Sequence, residues 1–214
     1  MVHHGCYVPS IQGLFGYRHS NMAIYLQQQE IACQQVLLDD SSVFSIQWSV
    51  YSAEIAAGLT AEKVMNRYLS YIRSFTFSIV RPIVHETGIE FRLLNTNLSL
   101  ISFLPYVVEN GVLTFRICGG ALVQPGQCSR GQLRFEVANV EDGIKVGLEL
   151  SDYCPLILGN SSPSYLRRLV YRVTQAAIHR LVTIRFLALL YRELAGKRAL
   201  VRVVSVNTRD GLPT

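Results

Sequence analysis

A chain of 214 residues, half of them hydrophobic and only 16% charged, holds enough apolar material for one domain of ordinary size plus an extension. The mean hydropathy of +0.25 calls for a large buried fraction, an internal apolar cavity or an apolar surface shared with a partner. The formal net charge of +5 conceals a split: residues 1–162 carry ten Lys/Arg against thirteen Asp/Glu, and residues 163–214 carry ten against two.

Residues 1–21 are rich in Gly, His and aromatics and follow no period, so irregular structure is expected there. Met22 opens more regular sequence and is a conceivable natural start. Asp39, Asp40, Ser41 and Ser42 form a turn cluster. From Val43 the pattern is that of a strand: Phe44, Ile46, Trp48 and Val50 alternate with Ser45, Gln47 and Ser49, which predicts the first set inward and the second outward. Gly58 breaks the run, Thr60 can cap, and residues 61–74 read as a helix with Val64, Tyr68 or Leu69, and Ile72 inward.

An antiparallel meander follows. Phe75, Phe77 and Ile79 alternate with Thr76 and Ser78, and a turn at His85–Gly88 leads to Ile89, Phe91 and Leu93. Asn110-Gly111 is a strong hairpin signal ahead of Leu113, Phe115 and Ile117, and Asp142-Gly143 predicts a second tight turn. Leu133, Phe135 and Val137 then face the same way as Ile144, Val146 and Leu148. About seven strands result.

The last element is a helix from Pro163 to Ala195, with Ser162 as N-cap, Pro163 at the first position and Gly196 as the C-terminal cap. Leu166, Val170, Val173, Ala177, Leu181, Ile184, Ala188 and Tyr191 form one stripe predicted to lie on the sheet. Arg168, Arg172, Gln175 and His179 form the opposite, polar side. Phe186 and Leu190 point away from the stripe, so shielding is expected from residues 1–42 or a second subunit, with a monomer slightly favoured over a dimer. Arg172, Gln175, His179, Arg180 and Arg185 argue against a transmembrane span.

Chemistry leaves little trace. Five scattered cysteines (Cys6, Cys33, Cys118, Cys128, Cys154) without a CxxC spacing argue against a disulfide framework or structural zinc. His3, His4 and His19 lack companion ligands at a fixed spacing, so no metal and no cofactor is expected. His179 is read as a surface histidine, and His85-Glu86 lacks the second histidine of a zinc-protease helix. Residues 118–127 lack the Lys-Ser/Thr of a phosphate loop. Arg81, taken with the parity of Phe77 and Ile79, is the one charged candidate for a cavity mouth. No nucleic-acid module is recognisable, and the basic C-terminal region suits either the acidic remainder and water or an anionic surface. No secretory segment is visible in residues 1–42, so a cytoplasmic location is expected.

The order strand, helix, antiparallel strands, long final helix resembles the START-like superfamily, also called SRPBCC or helix-grip. The closest-looking stretch is FSIQWSVYSAEIAAGLTAEKVMNRYLSYIRSF, with Glu54-Ile55-Ala56-Ala57 after the strand and AEKVMNRYL in the helix; Pro163–Ala195 matches the grip helix in place and length. The resemblance covers residues 43–196, leaving 1–42 as an N-terminal extension and 197–214 as a basic tail. It implies an α+β helix-grip fold, an antiparallel sheet wrapped around the last helix with an apolar cavity between. The leading expectation is then non-enzymatic binding of an apolar small molecule, lined by Phe77, Phe91, Leu113, Phe115, Phe135, Val173, Ala177 and Leu181 with Arg81 at the mouth. A filled protein-interaction module and a cyclase-like enzyme are the alternatives, because this fold does not fix function.

Overall fold

The computed structural model describes residues 28–127, 130–159, 164–196 and 200–214. Strands β1 (Gln28–Leu37) and β2 (Val43–Tyr51) come first, then helix α1 (Ala61–Phe75). Next are β3 (Val80–His85), β4 (Gly88–Leu93), β5 (Ser99–Phe103), β6 (Val107–Glu109) and β7 (Val112–Gly119). The long β8 (Gln132–Val140) and β9 (Gly143–Tyr153) follow. The C-terminal helix spans Tyr165–Ala195, and β10 (Leu200–Ser205) and β11 (Leu212–Pro213) close the chain.

All described strands join one sheet in the order β10-β1-β2-β9-β8-β7-β5-β4-β3, with β6 on β7 and β11 on β1. Every pairing is antiparallel except β1 with β10. The architecture is thus α+β helix-grip, as expected, with more strands than the seven read from sequence. The additional ones lie largely in the flanks: β1 falls in the segment taken as an extension, and β10 and β11 in the one taken as a tail.

Local chemistry explains most of these elements. Thr60 caps α1, its hydroxyl accepting from the Lys63 amide at 3.3 Å, and Ala61, Val64, Met65, Tyr68 and Ile72 form the buried face. Asn110 and Gly111 both take positive φ, 50° and 79°, as a type I′ hairpin requires. At the second turn Val140 pairs with Gly143, so Glu141 and Asp142 make the connection. Gly143 is needed because a Cβ there would collide with the Tyr51 carbonyl.

Two expectations fail. Helix α1 continues to Phe75, and Phe77 and Ser78 take positive φ in a turn before β3 begins at Val80. Thr76 stitches this turn: its hydroxyl donates to the Ile72 carbonyl at 2.8 Å and accepts from the Val80 amide at 3.1 Å. Apparent alternation across residues 75–79 was therefore a helix end followed by a turn. In β2 the parity is inverted from Ser45 on, after the register shift between Val43 and Ser45, while Phe44 stays buried. Ser45, Gln47 and Ser49 are buried while Ile46, Trp48 and Val50 are half-exposed. The register sets Ser45 beside Leu150 and Gln47 beside Leu148, which opposes Phe135, so the polar set is the one facing the core. Gln47 meets part of its hydrogen-bonding need by donating to the Ser45 hydroxyl at 2.9 Å.

Candidate functional site

The C-terminal helix is capped by Ser164, whose hydroxyl accepts from the Arg167 amide at 3.4 Å; Ser162 and Pro163 lie outside the described residues. It runs as α-helix over Tyr165–Tyr171, as a π-helical turn over Arg172–Ala176 and as α-helix again over Ala177–Ala195. At its end Gly196 takes φ 98°, as a C-terminal glycine should. The helix is long and apolar enough to cross a membrane, yet it buries one face against the sheet and α1.

That face is not the stripe expected from periodicity. The inward residues are Tyr171, Ala176, Val182, Thr183, Phe186, Leu187, Leu190 and Tyr191. Phe186 is 1% exposed and Leu190 2%, so both are covered within the chain, where this helix packs on α1 and on strands that include β1 of the segment taken as an extension. Phe186 meets Tyr68 edge-on at 5.1 Å between ring centroids and Tyr71 at 5.6 Å. The Tyr51 hydroxyl donates to the Leu187 carbonyl at 3.0 Å. Arg67 of α1 pairs with Glu193. The expected stripe instead starts outward: Leu166, Val170, Val173, Ala177 and Leu181 are all exposed.

Under the first half of the helix lies a cavity of about 270 Å³. Tyr68, Ile72 and Thr76 of α1 and its end, Val80, Phe91, Ile101 and Phe103 of the β3–β5 strands, and Leu133, Leu150 and Tyr153 of β8 and β9 form its walls; Tyr171, Gln175, Ile178, His179 and Val182 form its roof. Ile178 lines the cavity and is also 60% exposed, which marks the opening. The volume lies near the lower end of the roughly 300–1,000 Å³ range of small-molecule sites.

The polar groups come from the π-helical turn and the residues after it. Such a turn accommodates one extra residue and is often found at functional sites. Gln175 belongs to it, lines the cavity, and its Oε1 is buried with no hydrogen-bond partner. His179 stands one turn on. Burial lowers its pKa from 6.5 to about 4, which keeps the imidazole neutral at pH 7. Burial also raises the pKa of Tyr68, Tyr153 and Tyr171, so all three remain phenols. Tyr153 is already engaged, donating to the Leu122 carbonyl at 2.8 Å. The cavity therefore offers an apolar wall, one unpaired amide oxygen and a neutral imidazole, and no charge.

Of the residues singled out from sequence, Phe91 lines the cavity. Leu113, Phe115 and Phe135 are fully buried one layer behind it, in an aromatic chain in which Phe91 meets Phe103, Phe103 meets Phe115 and Phe135 meets Tyr68 at 5.4–5.8 Å. Phe77 is 90% exposed in the turn after α1. Arg81 pairs across the sheet with Arg92, on the face opposite Val80 and Phe91, because the parity carried forward from Phe75 ran through a helix end and a turn, and β3 begins only at Val80. Val173, Ala177 and Leu181 face solvent. His179, read as a surface residue, is a cavity residue. The signal for it existed: Tyr171, Gln175, His179 and Val182 share a helical spacing, but it was masked by the stronger apolar stripe.

A second hollow of about 390 Å³ lies at the sheet edge between Gln34, Arg180, Asn207 and Asp210. Its central polar group is satisfied internally, with the Gln34 amide donating to Asn207 and accepting from the Thr208 amide and hydroxyl. Among the described residues no cluster of three or more His, Cys, Asp or Glu is placed to hold a metal; His3, His4 and His19 lie outside them.

No family model and no curated protein matches the chain. Among solved structures, the crystal structure of CalU16 from Micromonospora echinospora matches at 14% identity over 78% of this chain and 96% of that one, with a TM-score of 0.33. The solution structure of the same protein matches at 16% identity over 79% and 78%, with a TM-score of 0.37. The likeness is distant.

Proposed function

We propose that this protein is a START-like binder of an uncharged, mainly apolar small molecule that carries at least one hydrogen-bond donor. The observation that supports this is the unpaired Gln175 Oε1 at an otherwise apolar cavity. Buried area against Phe91, Phe103, Ile101 and Leu150 supplies affinity, and a donor reaching Gln175, with His179 beside it, fixes orientation. An ionised ligand finds no counter-charge among these groups. Binding is carriage or sensing rather than turnover, in a cytoplasmic setting. A cyclase-like role would add catalysis by His179, the only titratable group with a strongly lowered pKa at the cavity.

Organic extraction of the purified protein followed by mass spectrometry tests the reading, with Ile101→Trp as the comparison because an indole there fills the cavity. The expected result is a stoichiometric neutral molecule from the parent protein and its absence from Ile101→Trp, with unchanged unfolding. Equal extracts from the two proteins, or failure of the parent to take up a neutral apolar fluorophore such as N-phenylnaphthylamine, would sink the proposal.

A further inference from the structure

The hollow at the sheet edge has a wall that is firmly held and a buried amide that is not satisfied. Gln34 holds the wall. Its Nε2 donates to the Asn207 side chain at 2.9 Å, and its Oε1 accepts from the Thr208 and Arg209 amides at 2.8 and 3.1 Å. The Val206 and Thr214 amides donate to the Cys33 and Gln35 carbonyls of β1, each at 3.2 Å. The segment from Val206 to Thr214 is thereby fixed on the edge of β1, so the hollow is shaped before anything enters it.

Gln35, the next residue of β1, turns its side chain to the other face of the strand and lines the same hollow. It is 7% exposed, and neither its Nε2 nor its Oε1 has a hydrogen-bond partner. The Tyr171 phenol approaches it from the side of the cavity under the helix without completing a hydrogen bond. Ser45 stands opposite Gln35 in β2, and the Oε1 of Gln47, diagonal to it, is also buried and unpaired. Unpaired buried amides weaken a fold, so this polar band is a poor design for packing alone. A free donor and a free acceptor on one side chain match the reciprocal pair that another amide presents.

Charge sets the rest of the ligand. Arg180 lines the hollow from the C-terminal helix and Asp210 from the segment after β10. They are the only charged side chains among its described lining residues, and neither forms an ion pair with the other or with any described residue. A simple anion drawn to Arg180 would be opposed by Asp210, and a simple cation drawn to Asp210 would be opposed by Arg180. A molecule that carries both charges satisfies both residues.

We propose that this hollow is a second binding site, for a small zwitterion of the amino-acid class, with its carboxylate on Arg180, its ammonium on Asp210 and an amide on Gln35. Free glutamine and a dipeptide share that chemistry. The hollow has no lining residue in common with the cavity under the helix, so the two sites succeed or fail separately.

Equilibrium dialysis of the full chain against labelled L-glutamine and L-alanyl-L-alanine provides the test. Saturable binding of at least one is expected, with N-acetyl-L-glutamine, which lacks the ammonium, and L-glutaminamide, which lacks the carboxylate, at least tenfold weaker. Tighter binding of the dipeptide assigns the site to peptides, and tighter binding of glutamine to the free amino acid. Arg180→Gln and Asp210→Asn should each weaken binding about tenfold, as loss of one charge-assisted contact implies. Both residues are exposed, so unfolding curves and uptake of N-phenylnaphthylamine should not change. Gln35→Leu should abolish the preference for L-glutamine over L-norleucine. Absence of saturable binding by either zwitterion, analogues that bind as tightly as the zwitterions, or charge variants that bind like the parent would each overturn the proposal.

Discussion

The two halves of the C-terminal helix differ more from each other than either does from other elements. From Val182 to Tyr191 the helix buries Val182, Thr183, Phe186, Leu187, Leu190 and Tyr191 against α1 and the β1–β2 strands. Before Val182, only Tyr171 and Ala176 are buried, Gln175 and His179 turn half-buried into the cavity, and the rest is exposed. The same helix therefore anchors at one end and roofs an open space at the other. Stability should come from the second half and binding from the first.

The largest effect expected is that contrast itself. Phe186→Ala removes a fully buried ring from its contacts with Tyr68 and Tyr71, and truncation of this kind costs about 3–5 kcal/mol. Val173→Ala, on the exposed face, should stay within about 0.5 kcal/mol of the parent. Urea unfolding of both variants measures the gap. Similar losses for the two would mean that the first half is packed as well as the second.

Acid should act on the first half. The folded pKa of His179 lies near 4 against 6.5 when unfolded, so between those values the unfolded chain binds more protons. Stability from this residue is full above about pH 6.5 and is lost as pH falls through 4. Because the ring looks into a cavity that opens to solvent, the loss is about 1–3 kcal/mol rather than the whole converted shift. Thermal melts at pH 7 and pH 4.5 should differ less for His179→Leu than for the parent; a parallel pair of curves would place His179 in water.

The same comparison shows what could be read in advance. Signals confined to a few residues were legible: Thr60 before an amphipathic helix, Asn110-Gly111 between alternating strands, and the matched parity of β8 and β9. Gln-rich β1 and the short β10 and β11 carried no such pattern, because they are held by pairing with distant chain rather than by local preference. The inner face of the last helix was misassigned because in its first half the apolar stripe lies outward over a polar cavity roof, and the π-helical turn at Arg172–Ala176 shifts the phase that a single 3.6-residue period assumes. In β2, alternation gave the period correctly and the direction wrongly, since Ser45, Gln47 and Ser49 form a buried polar band that no hydrophobicity rule anticipates. The cavity was expected under the helix and lies there, but its polar roof was assigned to solvent.

Where the halves meet the sheet, one hydrogen bond can be removed cleanly. Tyr51→Phe keeps the ring beside Tyr191, 5.3 Å away between centroids, and deletes only the bond to the Leu187 carbonyl. A neutral buried hydrogen bond is worth about 1 kcal/mol, so a loss of about that size in urea unfolding is expected. A loss near zero would mean that the second half is fastened by apolar contact alone.

The smallest expected effect on stability is also the most informative about function. A buried acceptor without a partner costs the folded state about 1–3 kcal/mol relative to one that is satisfied. If Gln175 Oε1 is held unpaired in the ligand-free protein, Gln175→Leu removes that cost without changing side-chain size much, and stability should be unchanged or rise by about 1 kcal/mol. Binding should move the other way: the donor-bearing ligand loses the unpaired amide acceptor at the cavity, and retention of the extracted molecule should fall about tenfold, as a lost hydrogen bond of about 1.4 kcal/mol implies. A purely structural glutamine would not separate the two readouts. Should Gln175→Leu destabilise the protein and leave ligand content intact, the amide is a packing residue, and the first half of the helix is a roof with no recognition built into it.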